Sequence, residues 1–555
     1  MHRPILLLCI LFPVIVTATH TPVSETKRLE SLCRIWGFLK YYHPHVAREQ
    51  RNWDQELIEK IPQVLAAQDK ETLNEIYAAW LEALGKVRRC NNCSVHQLVQ
   101  APPAPDFSWL QDTSVFSPAV SARLVYIRDN PNRGRHYYYE RRYRFFRVQT
   151  SYRHEKTYSH TRYPSKEYRL LALFRYWNVI RYFYPCTYHL QPNWNGVLNN
   201  MVPLFADAPD ATAYQLALQR LDACLQDSHS GYTSTEMFYH FGPYYPPFYY
   251  DIADGKAVIR KSLQDSLMQA ADLAPGDVIT AIRGRPLQEY IDSCRPYMSG
   301  SNEPARLRGT WHLLMSGKED TVSVTVDRNG QTRNTLMHRW HVRNARLSPE
   351  PDTAAAWRQL DEQIGYFNIS KLTRRNIREG MRTFRHTKGL IIDMRKYPTT
   401  AAIALSRYLM PKRTGFARIA SPNLHYPGTF RYGRLWKVGP LFHNRHYYRG
   451  QVVLLINEYT QSMGEYTTMA LQRIPGVVLA GSQTAGALGN VASIKLPNGE
   501  GQPYFTGLGV YYPDGKEAQR VGIRPDIPVR PGINALRERR DEVLERAAAY
   551  IRTGK

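Results

Sequence analysis

Two stretches in the first half of the chain repeat each other in one register, which constrains the fold more than any single motif. Arg28, Leu29, Leu32, Arg34, Trp36, Tyr41 and Pro44 recur as Arg169, Leu170, Leu173, Arg175, Trp177, Tyr182 and Pro185, always at one offset (177 − 36 = 141). The register continues unbroken through Trp53/Trp194, Pro62/Pro203, Asp69/Asp210 and Leu84/Leu225. Chance does not hold a register that long, so one structural unit is built twice. Leu29, Leu32, Trp36 and Leu39 recur at helical spacing, and each copy is expected to open with an amphipathic helix ended by Pro44 or Pro185. Helical stretches follow near 57–67 and 73–84. The copies part at their ends. The second reads Asp227-Ser228-His229 where the first has Lys86-Val87-Arg88, so only one copy carries an acid, a hydroxyl and an imidazole in a row.

At 555 residues the chain is too long for one core. The expected division is residues 1–18 as a signal peptide, 19–100 and 166–238 as the helical copies, and 101–165 as a connector. Residues 239–345 form a small β domain and 346–555 an α/β core. Met1 to Arg3 is basic, Ile5 to Val16 is apolar, and Val16-Thr17-Ala18 offers small residues for cleavage, which reads as export to the periplasm or outside the cell. Six cysteines remain: Cys33, Cys90, Cys93, Cys186, Cys224 and Cys294. Cys90 and Cys93 with His96 would make half of a zinc site. Without a second ligand pair, a local disulfide or two free thiols is preferred and no metal is expected. Lys and Arg exceed Asp and Glu by 25 (73 − 48), a charge that favours acidic partners and says nothing about fold. The connector run Tyr137 to Arg147 mixes arginines with aromatic rings. It suits either stacking on single-stranded nucleic acid or a two-faced strand whose cations face water or acidic envelope polymers. Export favours the strand, so no nucleic acid is expected as a partner.

From Gly242 onward the pattern turns to strands. Lys256–Arg260 and Thr321–Val326 alternate with period two, and Asp327-Arg328-Asn329-Gly330 is a turn signal. Between them, Leu273-Ala274-Pro275-Gly276-Asp277-Val278-Ile279-Thr280-Ala281-Ile282-Arg283-Gly284 resembles a segment of PDZ domains, which dock chain ends by strand addition. A purely structural small barrel is the competing reading, and both stay open.

In the last third, apolar runs at 364–369, 389–395, 452–457 and 477–481 alternate with helical stretches at 375–384 and 464–473. Parallel strands buried on both faces look like this, and their chemistry gathers at the strands' carboxyl ends. There, Ser462 stands between a strand and a helix, where backbone N–H groups can stabilise an oxyanion. Ser462 and Glu465 also make a capping box, which needs no catalytic meaning.

Ile391-Ile392-Asp393-Met394-Arg395-Lys396-Tyr397-Pro398, Gln461-Ser462-Met463-Gly464-Glu465, Gly481-Ser482-Gln483-Thr484-Ala485-Gly486 and Val521-Gly522-Ile523-Arg524-Pro525-Asp526 follow the PDZ-like segment in order. This set resembles the C-terminal processing (tail-specific) and tricorn-core serine peptidases over about residues 166–545. The duplicated prefix resembles that of bacterial envelope members. The resemblance implies a multidomain α+β protein: helical repeats, a PDZ-like domain and a crotonase-like (ClpP-like) peptidase core. It also implies an acyl-enzyme on Ser462 with His229 as base and Ser228 beside it. The oxyanion donors would be the N–H groups of Met463 and Thr399, the latter in Thr399-Thr400 where the family usually has glycine. Ala487 stands where the processing branch has a catalytic lysine, and the tricorn branch's glutamate falls on Gln519 by spacing or on Glu517 two residues earlier. Neither cofactor nor metal is implied. The implied partner is a protein or peptide substrate, bound by its C-terminus in the docking reading. Self-assembly and contact with an acidic envelope surface stay open. The alternatives are an inactive peptide-binding relative, which Thr399-Thr400, Ala487 and Gln519 favour, and an envelope scaffold held by positive charge.

Overall fold

The computed structural model describes residues 22–91, 93, 101–102, 105–144, 147–158, 161–309, 311–344, 353–497 and 500–554. The expected signal peptide and His96 lie outside the described residues. Among them no helix is long and apolar enough to cross a membrane.

The repeat appears as geometry. Helix α1 (Glu25–Tyr42) corresponds to α2 (Lys166–Phe183), each beginning and ending at the sequence offset, and Trp53–Ala66 and Lys70–Ala83 answer to Trp194–Ala206 and Ala211–Ala223. The caps are duplicated too. Asn52 and Asn193 accept from the N–H three residues on, as do Asp69 and Asp210. This satisfies donors that a helix start leaves unpaired. In each copy two indoles hold each other's backbone: Trp36 donates to Trp53 O and Trp53 to Trp36 O, both at 3.0 Å, and Trp177 and Trp194 do the same at 2.8 and 2.9 Å. The copies pack through α1 and α2. A Cβ on Gly37 would fall 1.9 Å from Asn178, the residue's own counterpart (178 − 37 = 141). Asn178 Nδ2 donates across to Cys33 O at 3.0 Å.

The apolar core of the two copies takes in the hairpin Val491–Ser493/Tyr504–Thr506 from the far end of the chain, through Ala492, Ile494, Leu496 and Phe505. Arg175, fully buried, fixes this union. It pairs with Asp54 at 2.7 Å and Glu155 at 3.0 Å and donates to Lys495 O at 2.8 Å. The connector hairpin Glu140–Arg144/Arg147–Ser151 pairs as expected of a strand segment.

Residues 248–338 form an antiparallel sheet in the order Phe248–Ala253, Lys256–Ser262, Val278–Ile282, Thr321–Arg328, Gln331–His338. Asn329 and Gly330, both at positive φ (54° and 85°), make the expected two-residue turn. Asp277 is buried, where Arg328 binds both its oxygens at 2.7 and 2.8 Å.

The last third is built on one six-stranded sheet whose spatial order equals its chain order: β1 (Trp357–Asp361), β2 (Ile364–Asn368), β3 (Gly389–Asp393), β4 (Gln451–Ile456), β5 (Val478–Gly481) and β6 (Ile527–Pro528). All pairings from β2 onward are parallel, and β1 runs antiparallel. The sequence reading missed the hairpin Thr414–Pro422/Phe430–Val438, which carries mixed polar and apolar residues rather than an apolar run. Of the cysteines, Cys90 and Cys93 form a disulfide, while Cys33, Cys186, Cys224 and Cys294 are free.

Candidate active site

Strand β4 runs out of the sheet at Ile456, and the chain turns into helix α3 (Met463–Leu471). Ser462 sits on the elbow at φ 57°, ψ −116°. A serine there costs on the order of 1–3 kcal/mol and persists only where its surroundings over-determine it. They do so here. The Ser462 N–H donates to Ala487 O at 2.9 Å and reaches Glu465 Oε2 at 3.3 Å. Glu465 is fully buried and also accepts from Thr484 Oγ1 (2.5 Å), Gly486 N (2.7 Å) and Ala487 N (2.9 Å). Burial pushes its pKa up to about 7 against the pull of those donors. Glu465 is therefore a hub that locks the elbow to the 484–487 loop, a larger part than an ordinary helix cap. Gly486 is required: at φ 68°, a Cβ would stand 2.6 Å from Arg520 O.

The loop of His229 meets the same 484–487 segment through Ser228. Gly231 pairs with Tyr504 through mutual 3.3 Å bonds, which carries the end of the second helical copy onto the hairpin strand 504–506. The His229 ring places Nδ1 3.1 Å from Thr506 Oγ1. Gln519 Nε2 donates to that hydroxyl at 3.2 Å, and its Oε1 accepts from Leu488 N at 2.6 Å, which fixes which end of the amide faces Thr506. Asp227, fully buried, accepts from His229 N at 3.0 Å and Thr506 N at 2.8 Å, and Gln519 Nε2 stands 3.4 Å away. Burial holds the His229 pKa below its ordinary value; Asp227 opposes that and Arg308 adds to it. The imidazole is thus neutral at neutral pH, with Nε2 free of this network.

The two loops touch. Gln461, one residue before Ser462, donates from Nε2 to the carbonyl of Ser228, one residue before His229, at 2.9 Å. Arg308 binds Gln461 Oε1 and Glu458 O. Ser228 Oγ donates to Ala485 O at 2.8 Å and accepts from Ser301 N at 2.8 Å, so it fastens the loop from the middle domain and the core at once. No hydrogen bond joins His229 to Ser462 among the described residues.

Two sequence expectations fare differently. The structure brings Gln519 into the His229 network, whereas Glu517 pairs with Tyr188 and His189 instead. The amide of Met463, first in its helix, meets no acceptor among the described residues. That of Thr399 does: it donates to Ile369 O at 3.3 Å while its hydroxyl holds Leu372 O at 2.6 Å. The Thr399 N–H thus has an acceptor within the fold. The exposed Thr400 amide beside it meets no acceptor among the described residues. The loop itself is well placed: Thr460 Oγ1 donates to Met394 O at 3.0 Å, and Pro398 Cδ lies 3.8 Å from where a Gly464 Cβ would stand. Thr506 and Asp227, as a backbone clamp, were missed as members of the His229 network. Only Asp227 carried a sequence signal, its place in the run absent from the first copy. No cluster of metal ligands occurs among the described residues.

Residues 363–529, the segment that bears the strained serine, match the model of peptidase family S41. No curated protein matches the chain in sequence. Among solved structures, mature CPAF complexed with lactacystin is 14% identical, covers 70% of this chain and 99% of its own, and has a TM-score of 0.55. Mature CPAF alone is 15% identical, covering 70% and 98%, with a TM-score of 0.52. At that identity both show a shared fold. The photosystem II D1 C-terminal processing protease (17% identical, covering 65% and 93%) has a TM-score of 0.36 and carries no weight here.

Proposed function

We propose that the chain is an exported serine endopeptidase that cuts protein or peptide tails through an acyl-enzyme on Ser462, with His229 as the base. The observation that supports this most is the Gln461–Ser228 hydrogen bond. It sets the strained serine elbow against the loop of a desolvated, neutral imidazole from a different part of the chain. Serine is a weak nucleophile at its own pKa and needs a neighbour to take its proton. In this reading Nδ1–H donates to Thr506 Oγ1, leaving Nε2 to receive the Ser462 proton and return it to the leaving amine. Gln519 and Asp227 are positioning residues: one orients Thr506, the other holds the backbone beneath the ring. Ser228 positions the loop through its bonds to Ala485 and Ser301. The N–H groups of Met463 and Thr400 would face the oxyanion, with Thr400 taking the part expected of Thr399.

The N-terminal address at residues 1–18 and the Cys90–Cys93 disulfide support export, because disulfides persist in oxidising compartments. Residues 239–345 are proposed as a PDZ-like docking domain, supported by the Leu273–Gly284 segment and its buried Asp277. The core is proposed as crotonase-like.

A second reading, an inert site in a peptide-binding relative, is favoured by the engaged Thr399 amide and by the lack of a His229–Ser462 bond. Resting peptidases often show looser geometry than about 3 Å. Fluorophosphonate labelling separates the readings. The wild type should label at Ser462, and Ser462→Ala and His229→Ala should each lose labelling and lower hydrolysis of an unfolded protein by about 10⁴-fold or more. A folded wild type that neither labels nor cleaves supports the inert reading.

A further inference from the structure

Between Asp393 and Glu458 the sequence holds eleven Lys and Arg and not one Asp or Glu. Arg395 is neutralised by Asp393 and Asp541. The nine cations from Arg407 to Arg449 form no ion pair with a carboxylate among the described residues. Chain topology concentrates several of them at one end of the hairpin Thr414–Pro422/Phe430–Val438. Thr414 pairs with Val438 and Gly415 with Lys437, so Lys412 and Arg413 enter the hairpin where Lys437 leaves it. The following loop is anchored at the same place: Asn444 N donates to Pro411 O at 2.7 Å and Asn444 Nδ2 to Arg407 O at 3.0 Å. A Cβ on Gly439 would lie 2.8 Å from Lys412 O. Between those anchors, Leu441 is 72% exposed and Phe442 85% exposed, more than any other large hydrophobic side chain among the described residues. Arg407, Lys412, Arg413, Lys437 and Arg445 are all exposed around them.

We propose that this loop is a membrane-docking tip, with Leu441 and Phe442 entering an anionic lipid bilayer while the surrounding cations bind its headgroups. An apolar tip ringed by cations matches the depth order of a bilayer interface, with anionic headgroups outside and acyl chains beneath. Nucleic acid would satisfy the cations and leave Leu441 and Phe442 in water. A second copy docked by two-fold symmetry would set the unpaired cations against their own equivalents. The proposal is independent of the Ser462–His229 reading, since none of these residues belongs to that site.

The test is cosedimentation of the full chain with vesicles of phosphatidylcholine containing about one-third phosphatidylglycerol, at roughly 0.1 M salt. Binding is expected, weaker by about tenfold or more on pure phosphatidylcholine or at roughly 0.5 M salt. Leu441→Ser/Phe442→Ser should weaken it by about tenfold or more, and Lys412→Glu/Arg413→Glu by about fivefold or more per cation removed. Hydrolysis of a soluble unfolded protein should be unchanged in both variants, so failure of the lipid arm leaves the peptidase reading standing. The proposal is overturned by equal binding to neutral vesicles, or by wild-type binding in the Leu441→Ser/Phe442→Ser variant. Tight binding to a polynucleotide without vesicle binding overturns it as well, as does a concentration-dependent dimer that the double serine variant abolishes.

Discussion

At the scale of single residues, the site is governed by groups whose proton affinity burial has moved. Asp222 lies behind the His229 loop, fully desolvated beside Asp227, with Tyr176 and Ser230 as partners and its pKa raised to about 8. The folded state therefore binds a proton that the unfolded chain has released above about pH 4, so this residue's contribution to stability falls as pH rises toward 8. Asp222→Asn keeps the shape of the protonated acid and should flatten the dependence of Tm on pH between those values; an unchanged slope would contradict the assignment. Gln519 invites a sharper test. Gln519→Glu would set a second carboxylate beside Asp227, and one of the pair must then hold a proton. We expect lower stability above neutral pH, read by thermal melts. Gln519→Ala should lower kcat by on the order of 10–100-fold with little change in KM, because Thr506 loses its orientation while substrate contacts remain.

Between elements, the duplicated helices are held by a contact that allows no extra atom. Gly37→Ala drives a methyl group into Asn178, whose amide is bonded to Cys33 O and Phe174 O. Overpacking of this kind costs about 1–3 kcal/mol. Chemical denaturation should show that loss. The double change with Asn178→Ala should recover part of it, since the clash disappears while the hydrogen bonds stay lost. Strand β4 and helix α3 depend likewise on Glu465. Glu465→Gln would turn an NH₂ group toward backbone donors and orphan at least one of them, at about 1–3 kcal/mol.

Across the whole molecule, the helical half takes the hairpin 491–506 of the last third into its core, and the buried Arg175 binds groups from three parts of the chain. Asp54 comes from the first copy and Glu155 from the connector, while Lys495 O belongs to the hairpin beside the site. Lys40, also fully buried, completes the set against Glu155 at 2.8 Å. Removing one member of a buried pair leaves an uncompensated charge, so Arg175→Met should cost about 3–5 kcal/mol. Because the hairpin 491–506 carries Thr506, fluorophosphonate labelling should weaken together with stability. A destabilised protein that labels at the wild-type rate would show that the two halves are energetically separate.

The amino-acid order alone determined what depends on local or periodic patterns. The offset of 141 (177 − 36) fixed the helix starts, duplicated caps and paired indoles, since copies of one sequence face the same local physics. Apolar runs fixed β2 to β5, and the strand-to-helix step marked Ser462. The amphipathic hairpin at 414–438, the inward-turned Thr399 amide and the choice of Gln519 over Glu517 were illegible. Each depends on which distant group a side chain or N–H meets. Two residues separate positions 517 and 519, yet one reaches His189 and the other Thr506. Only tertiary structure decided that the His229 and Ser462 loops touch, because the hairpin that carries Thr506 beside His229 gains its stability from burial in a core made by residues more than two hundred positions away.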